Sequence, residues 1–315
     1  MTETQLQDHQ RSKAEIIKLS SEERQREVAL RERFASFWAT ATGDQRAVYD
    51  AFISGSPLTS DVTLEPVDEA GVRGFFIHPQ LAEPKRAILF LHGGGYVLGS
   101  AKAYRGFVSQ IVSRTKVPAL VIDYPLAPEA SLPAAPDAAR AAYLLLVAKG
   151  FDRIAIVGDS AGGGLTLVTL AGLTGKPAGP APVAGVVFSP WADLSFTGAS
   201  MTDRGIVDPL IGHDYLQDCA RKVVGAHSAS DPLASPLFGD LRGLPPLLIQ
   251  VGTDERLLDD SRQYADRAAK AGVPVDLQIF EGMHHVFQLD VAHLETSRNA
   301  LDRAARFLRD AFDRR

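Results

Sequence analysis

The sequence has one cysteine, little net charge and no long apolar run, and each of these absences excludes a class of protein. Cys219 alone cannot form an intrachain disulfide or a paired-cysteine metal site, so a reducing compartment is expected. Lys and Arg number 33 and Asp and Glu number 38, and the resulting net charge of −5 disfavours a nucleic-acid or anionic-membrane partner. The charged N-terminus lacks a secretion signal, and no run approaches the roughly 20 apolar residues of a membrane span. A cytoplasmic location is therefore expected.

The hydrophobic pattern predicts an α/β protein. Short, almost wholly apolar runs alternate with helical stretches, which is typical of a parallel sheet buried on both faces. An edge hairpin is predicted over 62–67 and 72–77, and one or two amphipathic helices over 11–53 are predicted to precede any strand. The other predicted strands are 87–91, 119–122, 154–157, 183–188, 247–251 and 275–280, and the other predicted helices are 104–114, 136–149, 161–173, 213–224, 259–272 and 293–312.

Residues 191–243 interrupt this alternation, since they are rich in Asp, Ser, Gly and Pro and contain no good strand. A structureless loop of that length is uncommon, so we interpret the segment as an insertion that covers the C-terminal edge of the sheet. The predicted organisation is an N-terminal helical part of a cap (1–55), a first part of the core (56–190), the cap insertion (191–243) and a second part of the core (244–315).

The strongest chemical signal is the motif Gly158-Asp159-Ser160-Ala161-Gly162, which lies between a predicted strand and a predicted helix. A serine on such a tight turn exposes its hydroxyl, and small flanking residues let the strand and helix approach each other. The amide of Ala161 and the positive end of the helix face the position of a developing oxyanion. Ser160 is therefore the predicted nucleophile, and a plain glycine-rich turn is the alternative that this context disfavours.

A second glycine-rich motif, His92-Gly93-Gly94-Gly95-Tyr96, follows strand 87–91 directly. Its glycines leave main-chain N–H groups uncovered, as an oxyanion hole requires. We predict Gly93, Gly94 and Ala161 as the donors, and a structural role for His92. A phosphate-binding loop fits poorly, because the GxGxxG pattern would require glycine at Leu98.

A serine nucleophile needs a base, and the base needs a carboxylate that orients it. Adjacent candidates occur twice: Asp254 and Glu255 follow strand 247–251, and His284 and His285 follow strand 275–280. The residues by themselves leave both members of each pair open. No HExxH motif, cysteine cluster or EF-hand loop occurs, so neither a metal nor a cofactor is predicted.

Five other carboxylates receive structural interpretations. Asp159 is predicted to order its loop, and Asp123 and Glu129 to support the glycine-rich turn. Asp259 and Asp260 are predicted to cap the helix that follows them and to place negative charge at its N-terminus.

Together these motifs resemble the bacterial hormone-sensitive-lipase-like esterases of the α/β-hydrolase superfamily. The resemblance covers roughly residues 60–312 and rests on His92–Tyr96, Asp123–Glu129, Gly158–Gly162, Ser189–Leu194 and Gly282–Phe287. Pro125 stands where many relatives have arginine, a departure that concerns local pairing around that turn. The resemblance implies an α/β-hydrolase fold with a mostly parallel central sheet, helices on both faces and a helical cap. It also implies a serine carboxylesterase that acts on small, short-acyl esters without a cofactor.

The resemblance places the remaining site residues. Relatives with Gly-Met-x-His put the base at His285 rather than His284. Relatives often read Asp-Pro-Leu-x-Asp after the strand 247–251, and aligning the second aspartate of that motif with Asp259 puts the acid at Glu255, with Asp254 as the alternative. Bulky residues expected near the entrance of the substrate pocket are Tyr96, Trp38, Trp191 and Phe196. The predicted partner is a small-molecule ester, and a homodimer is left open.

Two rival functions share this sequence pattern. A lactonase or an amidase would use the same three residues and differ in the leaving group and the pocket shape. A non-catalytic receptor is the other rival, because a plant hormone receptor family shares the fold but has lost the catalytic histidine. The presence of His285 argues against the receptor.

Overall fold

The computed structural model describes residues 13–177 and 179–314 of the chain. Nine strands form one sheet in the order β1-β9-β8-β7-β6-β4-β5-β3-β2. The strands are β1 (Lys13–Ile17), β2 (Val62–Glu69), β3 (Val72–Pro79), β4 (Arg86–Leu91), β5 (Ala119–Ile122), β6 (Arg153–Asp159), β7 (Ala184–Phe188), β8 (Leu247–Gly252) and β9 (Val275–Phe280). The α/β class is confirmed, and every apolar run predicted as a strand is one.

The strands joined through helices are parallel, and the two strands joined by a short turn are antiparallel. The strands from β4 onward are mutually parallel and almost fully buried, because helices cover both faces of the sheet. The predicted hairpin is confirmed as β2 and β3, which pair antiparallel from Val62↔Pro79 to Glu69↔Val72. Since β3 also pairs with β5, only β2 forms that edge of the sheet among the described strands.

The opposite edge corrects one prediction, that helices precede any strand. Lys13–Ile17 forms β1, which pairs in parallel with β9 from Lys13↔Asp276 to Ile17↔Phe280. Four of these five residues are exposed, so main-chain pairing with the free edge of β9 holds this segment rather than burial of side chains. A hydrophobic pattern cannot reveal that pairing. The predicted residues 11 and 12 lie outside the described part of the chain.

The helices form two layers around the sheet. Side chains of α3 and α8 share one core cluster with the sheet, and those of α4, α5 and α7 share the other. All six helices predicted after residue 100 are present, with ends that differ by a few residues. The helices are α1 (Ser21–Thr40), α2 (Gln45–Ile53), α3 (Ala101–Thr115), α4 (Ala134–Ala148), α5 (Ser160–Gly175), α6 (His213–Val224), α7 (Leu258–Lys270) and α8 (Glu295–Asp313).

Helices α1, α2 and α6 surround a cavity that opens beside the C-terminal ends of β6 and β9. Helices α1 and α2 come from the N-terminal segment, and α6 comes from the long segment between β7 and β8. The domain boundaries predicted above remain predictions. Within the described ranges, no helix is both long and apolar enough to cross a membrane.

Candidate active site

Ser160 lies at the sharp turn between β6 and α5, and its backbone adopts a left-handed conformation with φ of 53°. The close approach of the chain explains the flanking glycines. A Cβ atom on Gly158 would lie 2.3 Å from the carbonyl oxygen of Gly162, and one on Gly162 would lie 2.1 Å from that of Leu91. No larger residue fits at either position, so the motif keeps Ser160 on a rigid turn.

Two loops bring the predicted base and acid to this serine. His285 follows β9, and its Nε2 lies 2.9 Å from Ser160 Oγ. Glu255 follows β8, and its Oε2 lies 3.0 Å from His285 Nδ1. The three side chains therefore form a continuous hydrogen-bonded series, although 125 residues separate Ser160 from His285. Both Glu255 and His285 are buried.

Burial controls the ionisation of this series. It lowers the pKa of His285, which favours the neutral imidazole that accepts a proton. Burial likewise raises the pKa of Glu255, whereas hydrogen bonds from the Ser189 hydroxyl and the Gly252 amide act to lower it. Asp208, from the segment between β7 and β8, acts electrostatically to raise the pKa of His285.

The two alternative residues bind elsewhere. His284 Nδ1 lies 3.0 Å from Glu27 and its Nε2 lies 3.0 Å from Asp290. Asp254 accepts hydrogen bonds from Arg24 at 3.1 Å and from Arg31 at 2.9 Å. Both pairs lie in the loops beyond the ends of β8 and β9, and in each loop only one member faces Ser160.

The glycine-rich turn corrects one predicted donor. The amide of Gly93 donates to Asp159 Oδ1 at 3.0 Å and is therefore not free for a substrate oxygen. Gly94 and Gly95 line the cavity beside Ser160, and within the described chain their amides have no hydrogen-bond acceptor. Gly95 was not among the predicted donors, because the motif alone does not reveal which of its three amides is paired within the protein. Ala161, in the first turn of α5, keeps a free helix-terminal amide.

The structural role predicted for His92 is confirmed. Its Nδ1 lies 2.7 Å from the Gly93 carbonyl oxygen, and its ring stacks on Tyr124 with centroids 4.4 Å apart. Asp159 orders this loop as predicted, because it also accepts a hydrogen bond from Tyr104 at 2.9 Å. Burial raises the pKa of Asp159 to about 7.

Asp123 and Glu129 also support the turn. Asp123 accepts from the Ala101 amide at 2.7 Å, at the start of the helix that follows the turn. Glu129 forms a two-bond pair with Arg46, at 3.0 and 2.6 Å, and Arg46 donates to the carbonyl oxygen of Val97 at 3.0 Å.

Asp259 and Asp260 place negative charge at the N-terminus of α7 as predicted, but neither caps that helix. Asp259 and Asp260 lie in the first turn of α7, whose N-cap residue, Leu257, makes no side-chain cap. Asp260 is buried and accepts the amides of Ala192 and Asp193, both at 2.9 Å. It therefore holds the loop after β7 instead of capping its own helix.

The cavity beside Ser160 has a volume of about 580 Å³. Trp38 lines it as predicted, but Tyr96, Trp191 and Phe196 do not. Tyr96 and Trp191 are buried against each other with ring centroids 6.3 Å apart, because the core beneath the turn takes up these large rings. Among the lining residues that sequence reasoning missed are Tyr49, Phe52, Leu210, Tyr215 and Leu289. These residues come from distant segments, and no local pattern marks them.

Comparison with known proteins agrees with this architecture. Residues 88–289 match a family model described as the alpha/beta hydrolase fold. The chain is 42% identical over 229 residues to an acetyl-hydrolase of Streptomyces hygroscopicus, a match that covers 72% of this chain and 76% of that protein.

Two solved structures are also similar over most of their length. An esterase of the bacterial hormone-sensitive lipase family has a TM-score of 0.86 and 38% identity, with 93% of this chain and 99% of the other covered. The esterase EstE5, soaked with p-nitrophenyl butyrate, has a TM-score of 0.84 and 34% identity, with 92% and 99% covered. The fold and site thus define a carboxylic ester hydrolase. The chain belongs to the α/β-hydrolase superfamily, and within it to the bacterial hormone-sensitive lipase family of esterases.

Proposed function

We propose that this protein is a serine carboxylesterase for small, short-acyl esters, with Ser160 as nucleophile, His285 as general base and Glu255 as the carboxylate that orients the base. The observation that carries the proposal is the unbroken series from Ser160 Oγ through both nitrogens of His285 to Glu255, with distances of 2.9 and 3.0 Å. This is the arrangement by which a neutral imidazole activates a serine hydroxyl.

The reaction proceeds in two halves. His285 Nε2 takes the proton of Ser160 as Oγ attacks the ester carbonyl carbon, and the carbonyl oxygen becomes an oxyanion. The imidazolium then donates that proton to the leaving alcohol, the bond between carbon and the leaving oxygen breaks, and an acyl-enzyme remains. Water then attacks the acyl carbon as His285 Nε2 takes one of its protons. The bond between that carbon and Ser160 Oγ breaks, the imidazolium returns the proton to Oγ, and the acid is released. Glu255 stabilises the imidazolium without taking its proton.

Main-chain amides stabilise the oxyanion in this proposal. Gly94 and Gly95 contribute two of them, and Ala161 contributes the third from the positive end of α5. Donors fixed in the backbone need no reorganisation as charge develops on the oxygen. Removal of one such donor typically costs about 10²- to 10³-fold in kcat.

Aromatic side chains wall the cavity beside Ser160, and such a wall limits the length of an acyl chain bound to the serine; they include Trp38, Tyr49, Phe52 and Tyr215. Each buried methylene contributes about 0.8 kcal/mol until the chain meets the wall, after which overpacking reverses the gain. The acetyl-hydrolase among the relatives and the butyrate ester soaked into EstE5 support the same size range.

A panel of p-nitrophenyl esters from acetate to palmitate tests this size preference. We expect kcat/KM to be highest for acyl chains of a few carbons and to fall for longer ones, because the longer chains meet the wall of the cavity. An amide and a lactone included in the panel test the leaving group. Highest kcat/KM for palmitate would refute the pocket argument, and faster amide or lactone turnover would refute the carboxylesterase assignment.

Replacement of Phe52 tests whether this side chain limits the length of the acyl chain. Phe52 lines both this cavity and a neighbouring one of about 320 Å³, so Phe52→Ala is expected to join them and move the preferred acyl length upward by several carbons. Phe37→Ala is the matched control, because Phe37 lines only the second cavity. The same chain-length profile in Phe52→Ala and in the unsubstituted protein would show that the acyl group lies elsewhere.

A further inference from the structure

Six charged side chains form a compact group beside two loops: the loop after β8 that carries Glu255, called the acid loop, and the loop after β9 that carries His285, called the base loop. Opposite charges are paired within the group, since every carboxylate is within 4 Å of at least one cation. Three negative charges balance three positive ones. Such pairing is the condition under which charges tolerate burial. We call this group the charge cluster, and its members are Arg24, Glu27, Arg31, Asp254, His284 and Asp290.

The centre of the charge cluster is the contact between helix α1 and the base loop. Glu27 and His284 are both fully buried, and Glu27 Oε1 lies 3.0 Å from His284 Nδ1. Asp290 Oδ2 lies 3.0 Å from the other ring nitrogen. A neutral imidazole has a single N–H and cannot donate to two carboxylates, so this geometry requires a protonated ring. The two carboxylates accordingly raise the pKa of His284 to about 9.

The charge cluster reaches both loops that carry the acid and the base. Asp254 precedes Glu255 and binds Arg24 and Arg31 of helix α1. His284 precedes His285 and binds Glu27 of the same helix. Both arginines also donate to the carbonyl oxygen of Gly282, at the start of the base loop. Each of the two loops is therefore tied to α1 one residue away from its reacting side chain.

We propose that Glu27 and His284 are positioning residues for hydrolysis: through the charge cluster, helix α1 sets the relative placement of the acid loop and the base loop. This inference rests on the proposed roles of Ser160, Glu255 and His285. It assigns to the N-terminal helix a part in the chemistry in addition to covering the cavity. Neither Glu27 nor His284 lines that cavity.

The charge on His284 also acts on His285. Three ionisable groups face His285: Glu255 from the acid loop, Asp208 from the segment after β7, and His284 beside it. The His284 cation lowers the pKa of His285, and Asp208 raises it. Loss of the cation is therefore expected to raise the pKa of His285, so that the base becomes protonated and inactive at a higher pH.

Glu27→Gln tests the positioning role, and Glu23→Gln is its matched control. Glu23 is a buried carboxylate on the same helix, but it accepts hydrogen bonds from the backbone amides of Glu295 and Thr296 at 3.3 and 2.8 Å. It contacts neither the acid loop nor the base loop. We expect Glu27→Gln to lower kcat about 10- to 100-fold with KM within about twofold, because small misplacements of reacting groups have effects of this size. Glu23→Gln is expected to lower the unfolding temperature but to keep kcat.

His284→Asn supplies a readout that a purely structural role would not move. The acid limb of its kcat/KM profile is expected to lie about one pH unit higher than in the unsubstituted protein, as for removal of a nearby like charge. The profile of Glu23→Gln should not shift. Equal kcat losses in the two glutamate variants, or an acid limb that does not move in His284→Asn, would overturn the inference.

Loss of the proposed function would look different. If His285→Asn keeps full activity, the assignment of the base is wrong, and the inference falls with it. If His285→Asn is inactive while Glu27→Gln and His284→Asn match the Glu23→Gln control, the triad stands and only the positioning role is refuted.

Discussion

Ser160→Ala is expected to abolish ester hydrolysis while the protein remains folded. The turn depends on Gly158 and Gly162 rather than on the serine hydroxyl, and alanine is small enough for the space. Loss of the nucleophile removes the covalent step, and the corresponding loss in a serine protease is on the order of 10⁶-fold in kcat. The measurements are kcat with p-nitrophenyl acetate and the unfolding temperature, which should remain close to that of the unsubstituted protein.

A serine outside the site provides the matched control. Ser235 is buried, donates to the carbonyl oxygen of Ala229 at 2.6 Å and accepts the amide of Leu194 at 2.7 Å, so Ser235→Ala removes structural hydrogen bonds alone. It should unfold at a lower temperature and keep its kcat. An organophosphate should phosphorylate Ser160 with loss of its leaving group. The mass of the phosphoryl adduct is therefore expected on the unsubstituted protein and on Ser235→Ala but not on Ser160→Ala. Undiminished turnover by Ser160→Ala would end the serine-esterase proposal.

The second large effect is expected from Glu255→Gln, with a fall of about 10⁴-fold in kcat. That is the loss measured for the matching change in a serine protease, where the amide holds the imidazole in the wrong tautomer. Glu255 Oε2 lies 3.0 Å from His285 Nδ1, and the Glu255 side chain is fully buried. The substitution keeps the side-chain length, so a lower kcat reports on the loss of the carboxylate rather than on altered packing.

Asp254→Asn is the matched control, because Asp254 is the neighbouring carboxylate and pairs with Arg24 and Arg31 rather than with the base. As a member of the charge cluster it is expected to lower kcat by no more than Glu27→Gln does. Comparison of kcat for the two variants with one short-chain ester is sufficient. If Asp254→Asn has the large loss of kcat and Glu255→Gln has a kcat close to that of the unsubstituted protein, the role of the orienting carboxylate must be reassigned to Asp254.

The parts of this protein that follow from local sequence were predicted well. Apolar runs such as Ile154–Val157 are strands because a short, continuous apolar run is typical of a strand in a sheet covered on both faces. The serine turn was recognisable because Gly158 is required by a contact only four residues away, where a Cβ atom would lie 2.3 Å from the carbonyl oxygen of Gly162. Short-range steric requirements of this kind leave a visible pattern.

Predictions failed where a residue's role depends on a distant partner. Lys13–Ile17 is a strand because it pairs with the free edge of β9. Gly93 does not have its predicted role as an oxyanion donor because its amide donates a hydrogen bond to Asp159 at 3.0 Å. Trp191 was expected at the entrance but is buried against Tyr96. None of these partners is near in sequence, so no local pattern contains the information.

The sequence by itself determined the fold class, the nucleophile turn and the residue types available for acid and base chemistry, since those depend on hydrophobic period, glycine sterics and order along the chain. The tertiary structure decided which carboxylate and which histidine face Ser160, which amides remain free, and which side chains line the cavity. It also decided that Glu27 meets His284 across 257 residues of chain. Orientation and burial arise only when separate segments pack together, and they determine whether a side chain reacts, supports or fills space.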